Sequence, residues 1–311
     1  MLSLRENVPL APFTTFGIGG LAEFFVVVRS ESDMAEAIRL AREKNVPIFF
    51  LGGGSNVLFS DAGWKGLVAR IECSAIRKEG ETGIVAESGA KLFDVVSFAR
   101  DMELSGLERL AGIPGSFGGA IRGNAGAFGA AISDTLVSVR ALPSDSLEIE
   151  EFSRDAGCFQ YRESCFKRNP SLIILSARLL LQKGMSREAL TEIMEKTMRD
   201  RESKHPQNVR CGGSFFMNPV VSDEELRHEF ELDTGQKPKD EKLPAGWLID
   251  HAGLRGKQVG GAKLSDIHPN YLVNTGEATA EDVMILSSIV KQRVRTQFGI
   301  QLREEVQIVG F

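Results

Sequence analysis

Between residues 112 and 129 the chain reads Gly112-Ile113-Pro114-Gly115-Ser116-Phe117-Gly118-Gly119-Ala120-Ile121-Arg122-Gly123-Asn124-Ala125-Gly126-Ala127-Phe128-Gly129, seven glycines in eighteen positions. One turn needs a glycine or two to reach positive φ. This density instead leaves a main chain, interrupted by few bulky side chains, that something else can approach closely. A second cluster, Gly52-Gly53-Gly54-Ser55-Asn56, follows the apolar run Ile48 to Leu51, which reads as a strand. Backbone N–H groups in such loops can gather around an anion. The cluster is not a triphosphate-binding loop, since no Gly-Lys-Ser/Thr follows, nor the Gly-x-Gly-x-x-Gly dinucleotide fingerprint. Alone, it is equally well a tight turn closing a strand. Two such clusters in one chain suggest a long phosphate-bearing ligand lying along the main chain.

The surrounding pattern supplies the frame. Phe24 to Val28 and Leu67 to Ile71 are apolar and β-branched. Between them a helix opens at Ser32 with Met34, Ile38 and Ala41 on one face, and Asn45 and Pro47 end it. This is a β-α-β opening. From about 72 to 182 short strands are expected at Gly83 to Glu87, Leu136 to Leu142 and Leu172 to Leu181, with one helix over Lys91 to Met102. Ser186 begins a charged helix with Leu190, Ile193, Met194 and Thr197 at helical spacing, ending before Pro206. Thr279 and Asp282 have the spacing of a capping box. Val283, Leu286, Ile289, Val290 and Val294 then form a buried stripe, Gly299 ends it, and a last strand is expected from Ile300 to Val309.

At 311 residues the chain is long enough for two or three domains with filled cores. A net charge of −5 leaves no cation surplus for neutralising a phosphate backbone, which argues against a nucleic-acid partner. Met1 to Leu10 lacks the apolar core of a signal peptide, and the most apolar run, Leu172 to Leu181, is too short to span a bilayer. Reduced cysteines and a cytoplasmic, non-membrane protein are therefore expected. Cys73, Cys158, Cys165 and Cys211 and the four histidines show no metal-binding spacing, so no metal is expected.

The two glycine clusters resemble the FAD-binding fold of the vanillyl-alcohol-oxidase (PCMH) type. Gly-Gly-Gly-Ser-Asn at 52–56, Ile-Pro-Gly-Ser at 113–116 and Asn-Ala-Gly-Ala-Phe-Gly at 124–129 resemble the UDP-N-acetylenolpyruvoylglucosamine reductase family. So do Thr15-Phe16-Gly17-Ile18-Gly19-Gly20 and Tyr161-Arg162-Glu163-Ser164-Cys165-Phe166. Gly213-Ser214-Phe215-Phe216 with Asn218-Pro219, Ala245-Gly246-Trp247-Leu248-Ile249-Asp250, and Glu305-Val306 continue the match to the end of the chain. The resemblance implies an α+β chain. Its parts would be two α/β FAD-binding subdomains, at 1–71 and 72–200, an α+β substrate domain at 201–299, and a terminal strand at 300–311 carrying a site residue.

It also implies an activity, in which hydride passes from NADPH, through non-covalently held FAD, to the enolpyruvyl methylene carbon of UDP-N-acetylglucosamine enolpyruvate. The product would be UDP-N-acetylmuramate, a peptidoglycan precursor. Gly52, Gly53, Gly54, Ser55, Asn56, Ile113, Pro114, Gly115, Ser116, Gly118, Gly119, Gly123, Asn124, Ala125, Gly126 and Arg201 would hold FAD. Lys204, Asn218 and His268 would contact substrate, with Asn270 in the same region.

Three residues match the family's catalytic positions. Arg162 would stabilise charge developing on the substrate carboxylate, since a guanidinium stays charged and grips a carboxylate at two points; without the resemblance it reads as an ordinary salt-bridging arginine. Ser214 would give the proton, position mattering more than acidity; otherwise it is a turn serine bonded to its own backbone. Glu305 would orient or polarise substrate, and on a strand Glu304 beside it would face the opposite, solvated side. Arg201 and Lys204 read equally as the solvated end of a charged helix.

Two features depart from the family pattern. Met217 stands where lysine is common, and the stretch from Tyr161 to Ser214 lacks the insertion that in one branch places a tyrosine over substrate. Two other functions fit parts of the pattern: a flavin oxidase of the same fold acting on an alcohol or sugar lactone, and a non-catalytic UDP-sugar or flavin-binding module.

Overall fold

A computed structural model describes residues 2–206 and 208–311. The chain packs as two compact units. Residues 2–8, 22–54 and 64–203 form the first, and 9–21, 55–63 and 204–311 the second.

The first unit carries two sheets that change over after Ile71. In the four-stranded sheet the order is Arg5–Pro9, Leu21–Val28, Trp64–Ile71, Ile48–Leu51. Trp64–Ile71 runs parallel to both of its neighbours, as the β-α-β pattern requires. The crossover helix Glu31–Glu43 is capped by Ser30, whose Oγ accepts from the Asp33 N–H at 3.1 Å. It buries Met34, Ala37, Ile38 and Ala41 against the apolar strands. The second sheet is antiparallel, in the order Glu150–Ser153, Leu136–Pro143, Leu172–Leu180, Gly83–Glu87, Ile76–Glu79. Its core takes in the helices Leu92–Asp101 and Phe117–Arg122, with Phe117 and Phe166 essentially inaccessible.

The second unit is built on the antiparallel sheet Arg210–Ser214, Tyr271–Asn274, Ala262–Leu264, Gln258–Val259. The helices Glu224–Thr234, Ala245–His251 and Ala280–Phe298 complete it. The expected capping box is present: Thr279 Oγ1 accepts from the Asp282 N–H at 3.0 Å and Asp282 Oδ2 from the Thr279 N–H at 3.1 Å. Gly299 closes the helix at φ +70°.

Two early segments are integral to this unit. Phe16 is fully buried in its core, and the Phe16 carbonyl accepts from Asn274 Nδ2 at 3.0 Å. The Asp61 carboxylate accepts from the N–H groups of Ala280 and Glu281 at 2.9 and 3.0 Å, complementing the positive end of the long helix.

The last strand is shorter than expected. Only Gln307–Val309 is strand, paired in parallel with Val57–Phe59, and Glu305 precedes it. The reason lies in the partners. Val57–Phe59 offers three residues, while Arg303 and Glu305 bond instead to the segment after Ser214.

Candidate active site

In the first unit the two glycine clusters meet. A Cβ added to Gly53 would lie 2.6 Å from the Gly115 Cα, and one on Gly52 would collide with Ser116 Oγ. One on Gly118 would lie 2.6 Å from the Ser88 Cβ. These glycines let backbone rest on backbone. Gly54, Gly112 and Gly115 have φ of +65°, +82° and +114°, the left-handed half that favours glycine.

Ser116 caps the helix Phe117–Arg122, its Oγ accepting from the Gly119 N–H at 3.3 Å. Gly119 and Gly123 are different. An added Cβ would meet nothing nearer than 3.3 Å at the first and 3.5 Å at the second. Packing within the protein does not require glycine at either, so their bareness fits a cofactor lying against the main chain. Arg70, on the central strand, donates to the Gly52 carbonyl, and the Arg201 stem packs over Gly112. Arg201 therefore stands at the mouth of the second cluster.

Arg162 lies in the same unit, at the third position of a four-residue turn. Gln160 N–H donates to the Glu163 carbonyl at 3.0 Å and Glu163 N–H to the Gln160 carbonyl at 3.1 Å. Arg162 takes φ +56°, donates through Nη2 to the Gly126 carbonyl at 3.0 Å, and lies 5.2 Å from the centre of the Tyr161 ring. Beneath it Ser164, fully buried, donates to the Arg122 carbonyl at 2.7 Å. Burial pushes the Arg122 guanidinium down from its ordinary value, offset in part by Glu163. The Asn124 side chain bridges the Gln160 carbonyl (2.8 Å) and the Ser133 N–H (3.3 Å), so its amide serves the protein's own loops.

In the second unit Ser214 ends a bulged strand, where the sequence suggested a simple turn. Cys211 pairs with Val273 and Ser214 with Tyr271, so three steps on one strand match two on the other. Gly213, at φ +79° in open space, absorbs the extra residue, and Gly212 leaves no room for a side chain, since a Cβ there would lie 2.5 Å from the Phe16 ring. Among the described residues nothing forms a hydrogen bond with the Ser214 hydroxyl.

The chain just beyond Ser214 is fixed from both sides. Phe215 N–H donates to the Asn270 carbonyl at 2.7 Å, and Asn270's amide both accepts from Phe216 N–H (2.9 Å) and donates to its carbonyl (2.8 Å). Opposite, Glu305 N–H donates to the Phe215 carbonyl at 2.8 Å and Met217 N–H to the Arg303 carbonyl at 2.9 Å. Ser214 and Glu305 are thus brought together on adjacent segments.

Glu304 is not solvated as expected. It pairs with Lys291 at 2.8 Å on the long helix. Asn56 donates through Nδ2 to the Glu305 carbonyl at 3.2 Å, and its own carbonyl accepts from Gln307 N–H at 3.0 Å. Asn218 Oδ1 accepts from the Ala245 N–H at 3.0 Å, and Asn270 is wholly occupied by Phe216, so both have structural duties the sequence did not reveal. His268 stacks on His205 with ring centres 5.0 Å apart, while Lys204 is exposed.

Two glycine loops closed on one another beside a parallel β-α-β core suit a phosphate-bearing cofactor, and residues 22–148 match the family model described as FAD binding domain, which makes this a flavin-binding protein. Residues 205–309 match the C-terminal domain of UDP-N-acetylenolpyruvoylglucosamine reductase. The reductase of that name from Solibacter usitatus is 38% identical, covering 99% of this chain and 97% of its own length. The one from Parasynechococcus marenigrum is 36% identical, covering 100% and 97%. The crystal structure of the Thermus caldophilus reductase aligns at a TM-score of 0.77 and 29% identity over 99% of each chain. The chain belongs to the UDP-N-acetylenolpyruvoylglucosamine reductase family. It is an FAD-binding oxidoreductase of peptidoglycan precursor synthesis, with the α+β architecture and FAD-binding domain expected. No helix among the described residues is long and apolar enough to cross a membrane.

Proposed function

We propose that the chain uses NADPH to reduce UDP-N-acetylglucosamine enolpyruvate to UDP-N-acetylmuramate in the cytoplasm, where nucleotide-linked precursors are made. FAD, when bound, supplies the hydride-carrying chemistry between the two substrates. Gly52, Gly53, Gly115, Ser116, Gly119 and Gly123 would line its place, and Arg201 would supply positive charge for its phosphates.

Arg162 grips the substrate carboxylate with its planar guanidinium. Negative charge grows there as hydride adds to the methylene carbon, so the grip is stronger in the transition state than in the ground state. Ser214 Oγ gives its proton to the carbon bearing the carboxylate, and solvent reprotonates the serine. A hydroxyl is a weak acid, but the carbanionic carbon is a far stronger base, so placement governs the rate. Glu305 orients the enolpyruvyl group. Lys204, Asn218 through its amide nitrogen, and His268 contact the nucleotide sugar.

The observation that carries this reading is the Ser214 hydroxyl. Its neighbours Phe215 and Phe216 are bonded on both sides, yet the hydroxyl itself has no partner among the described residues. A serine whose task was to brace its own turn would use that hydroxyl on the backbone.

The test is anaerobic. NADPH should bleach the flavin absorbance, and UDP-N-acetylglucosamine enolpyruvate should restore it stoichiometrically. Bleaching without restoration by that sugar would overturn the assignment of substrate.

A further inference from the structure

Arg162 sits where its residue type is disfavoured. The third position of a turn with φ +56° ordinarily belongs to glycine or asparagine, whose backbones reach that region without a β-carbon clash. An arginine there persists only because its surroundings over-determine the conformation.

Three bonds do so. Asn124 Nδ2 holds the Gln160 carbonyl at 2.8 Å, and Arg162's own Nη2 reaches the Gly126 carbonyl at 3.0 Å. The third comes from Lys167, whose Nζ donates to the Arg162 carbonyl at 2.8 Å. Lys167 is itself fixed: it lies in the short helix Cys165–Arg168, and its N–H donates at 3.1 Å to Ser164 Oγ, the helix cap. That same Oγ donates to the Arg122 carbonyl, tying the helix to the second glycine cluster.

The Arg162 carbonyl direction sets its ψ, and with φ it decides where the side chain leaves the turn. A charge-assisted bond to that carbonyl is therefore a bond to the guanidinium's aim. We propose that Lys167 is a positioning residue for Arg162: its ammonium locks the strained main chain so that the guanidinium is presented in one orientation. This rests on the reading that Arg162 grips the substrate carboxylate. Lys167 touches no substrate in this account and acts only through Arg162.

The test uses the flavin-loaded enzyme and single half-reactions. Lys167→Met keeps the aliphatic stem and removes the donor. Reoxidation of the reduced flavin by the enolpyruvyl sugar should slow by about 10-fold or more, since small misplacements of a positioned group carry such costs. Reduction by NADPH should stay within about twofold, as expected of an effect confined to Arg162. Hydrogen exchange in the peptide spanning 160–163 should rise at the same time. Lys167→Gln, which keeps a neutral donor, should recover part of the lost rate.

The deciding comparison is made in an Arg162→Ala background, where Lys167→Met should cause no further slowing. Equal slowing in both backgrounds would make Lys167 a general structural residue and overturn the proposal. So would a normal rate in Lys167→Met alongside a slow Arg162→Ala. An Arg162→Ala enzyme that reoxidises normally would instead remove the underlying reading of Arg162, a result visible in that single variant before Lys167 is considered.

Discussion

The turn that carries Arg162 and the bulge that precedes Ser214 face the same difficulty in different ways. Both project a polar side chain from an irregular point in the backbone. In the first unit the arginine itself takes the positive φ, +56°, and side chains from Asn124 and Lys167 hold it there. In the second, Gly213 takes φ +79° and Ser214 remains in the strand, held by main-chain bonds and by Asn270. Strain borne by a glycine costs little and needs no clamp. Strain borne by an arginine needs one, which concentrates structural duty around it.

The largest effect expected from this contrast is at Arg162. Arg162→Ala and Arg162→Gly should each lower the rate of flavin reoxidation by substrate by roughly 10²-fold or more, as for loss of an oxyanion donor. The two should differ in stability, because only glycine is released from the strain. Arg162→Gly should be the more stable by about 1 kcal/mol, the usual cost of a left-handed non-glycine residue. Equal denaturation midpoints would show that Arg162's φ carries no strain.

Gly213→Ala is the mirror experiment. No atom lies within 4 Å of the added Cβ, so the backbone alone is tested. A destabilisation of about 1–2 kcal/mol is expected by chemical denaturation. Reoxidation should slow as well, because relaxing the bulge re-aims Ser214. Unchanged stability and rate would mean the bulge is not what sets the serine's direction.

A smaller effect is expected at a support of the second region. Asp250 pairs with Arg255, whose guanidinium also holds the carbonyls of Asp266 and Ile267 just before His268. The hydrogen bond from Arg255 holds the Asp250 carboxyl below its usual range. A depressed carboxylate pKa in the folded state adds stability above the unfolded value of about 4, and that stability is lost as pH falls through the folded value. Both side chains are more than a third exposed, so Asp250→Asn should cost less than about 1 kcal/mol at neutral pH. The difference from the parent protein should vanish in acid. A difference that persisted undiminished in strong acid would rule out the charge as its source.

Local signals in the sequence were readable because their causes are local. Ile48–Leu51 is a strand because four apolar residues precede a glycine run, and the helix Ala280–Phe298 starts and stops where Thr279, Asp282 and Gly299 dictate. Both glycine clusters stood out in the sequence, although their mutual packing did not, since Gly53 against Gly115 is a contact across sixty-two residues. The place of Phe16 and Asp61 in the second unit was hidden for the same reason.

Polar side chains were harder still. Asn218, Asn270 and Asn56 look like ligand contacts in sequence, yet their amides bond to main-chain groups whose identity only the fold decides. Lys167 gave no signal at all, because its partner is a carbonyl rather than a complementary side chain.

The central claim is that Ser214 delivers the proton, and Ser214→Ala tests it most directly in anaerobic stopped flow. The variant should be reduced by NADPH at close to the parent rate. Its reoxidation by saturating UDP-N-acetylglucosamine enolpyruvate should slow by about 10²–10⁴-fold, the usual contribution of a positioned proton donor, with Ser214→Cys recovering part of the loss. Reoxidation of Ser214→Ala at the parent rate under saturation would contradict the account.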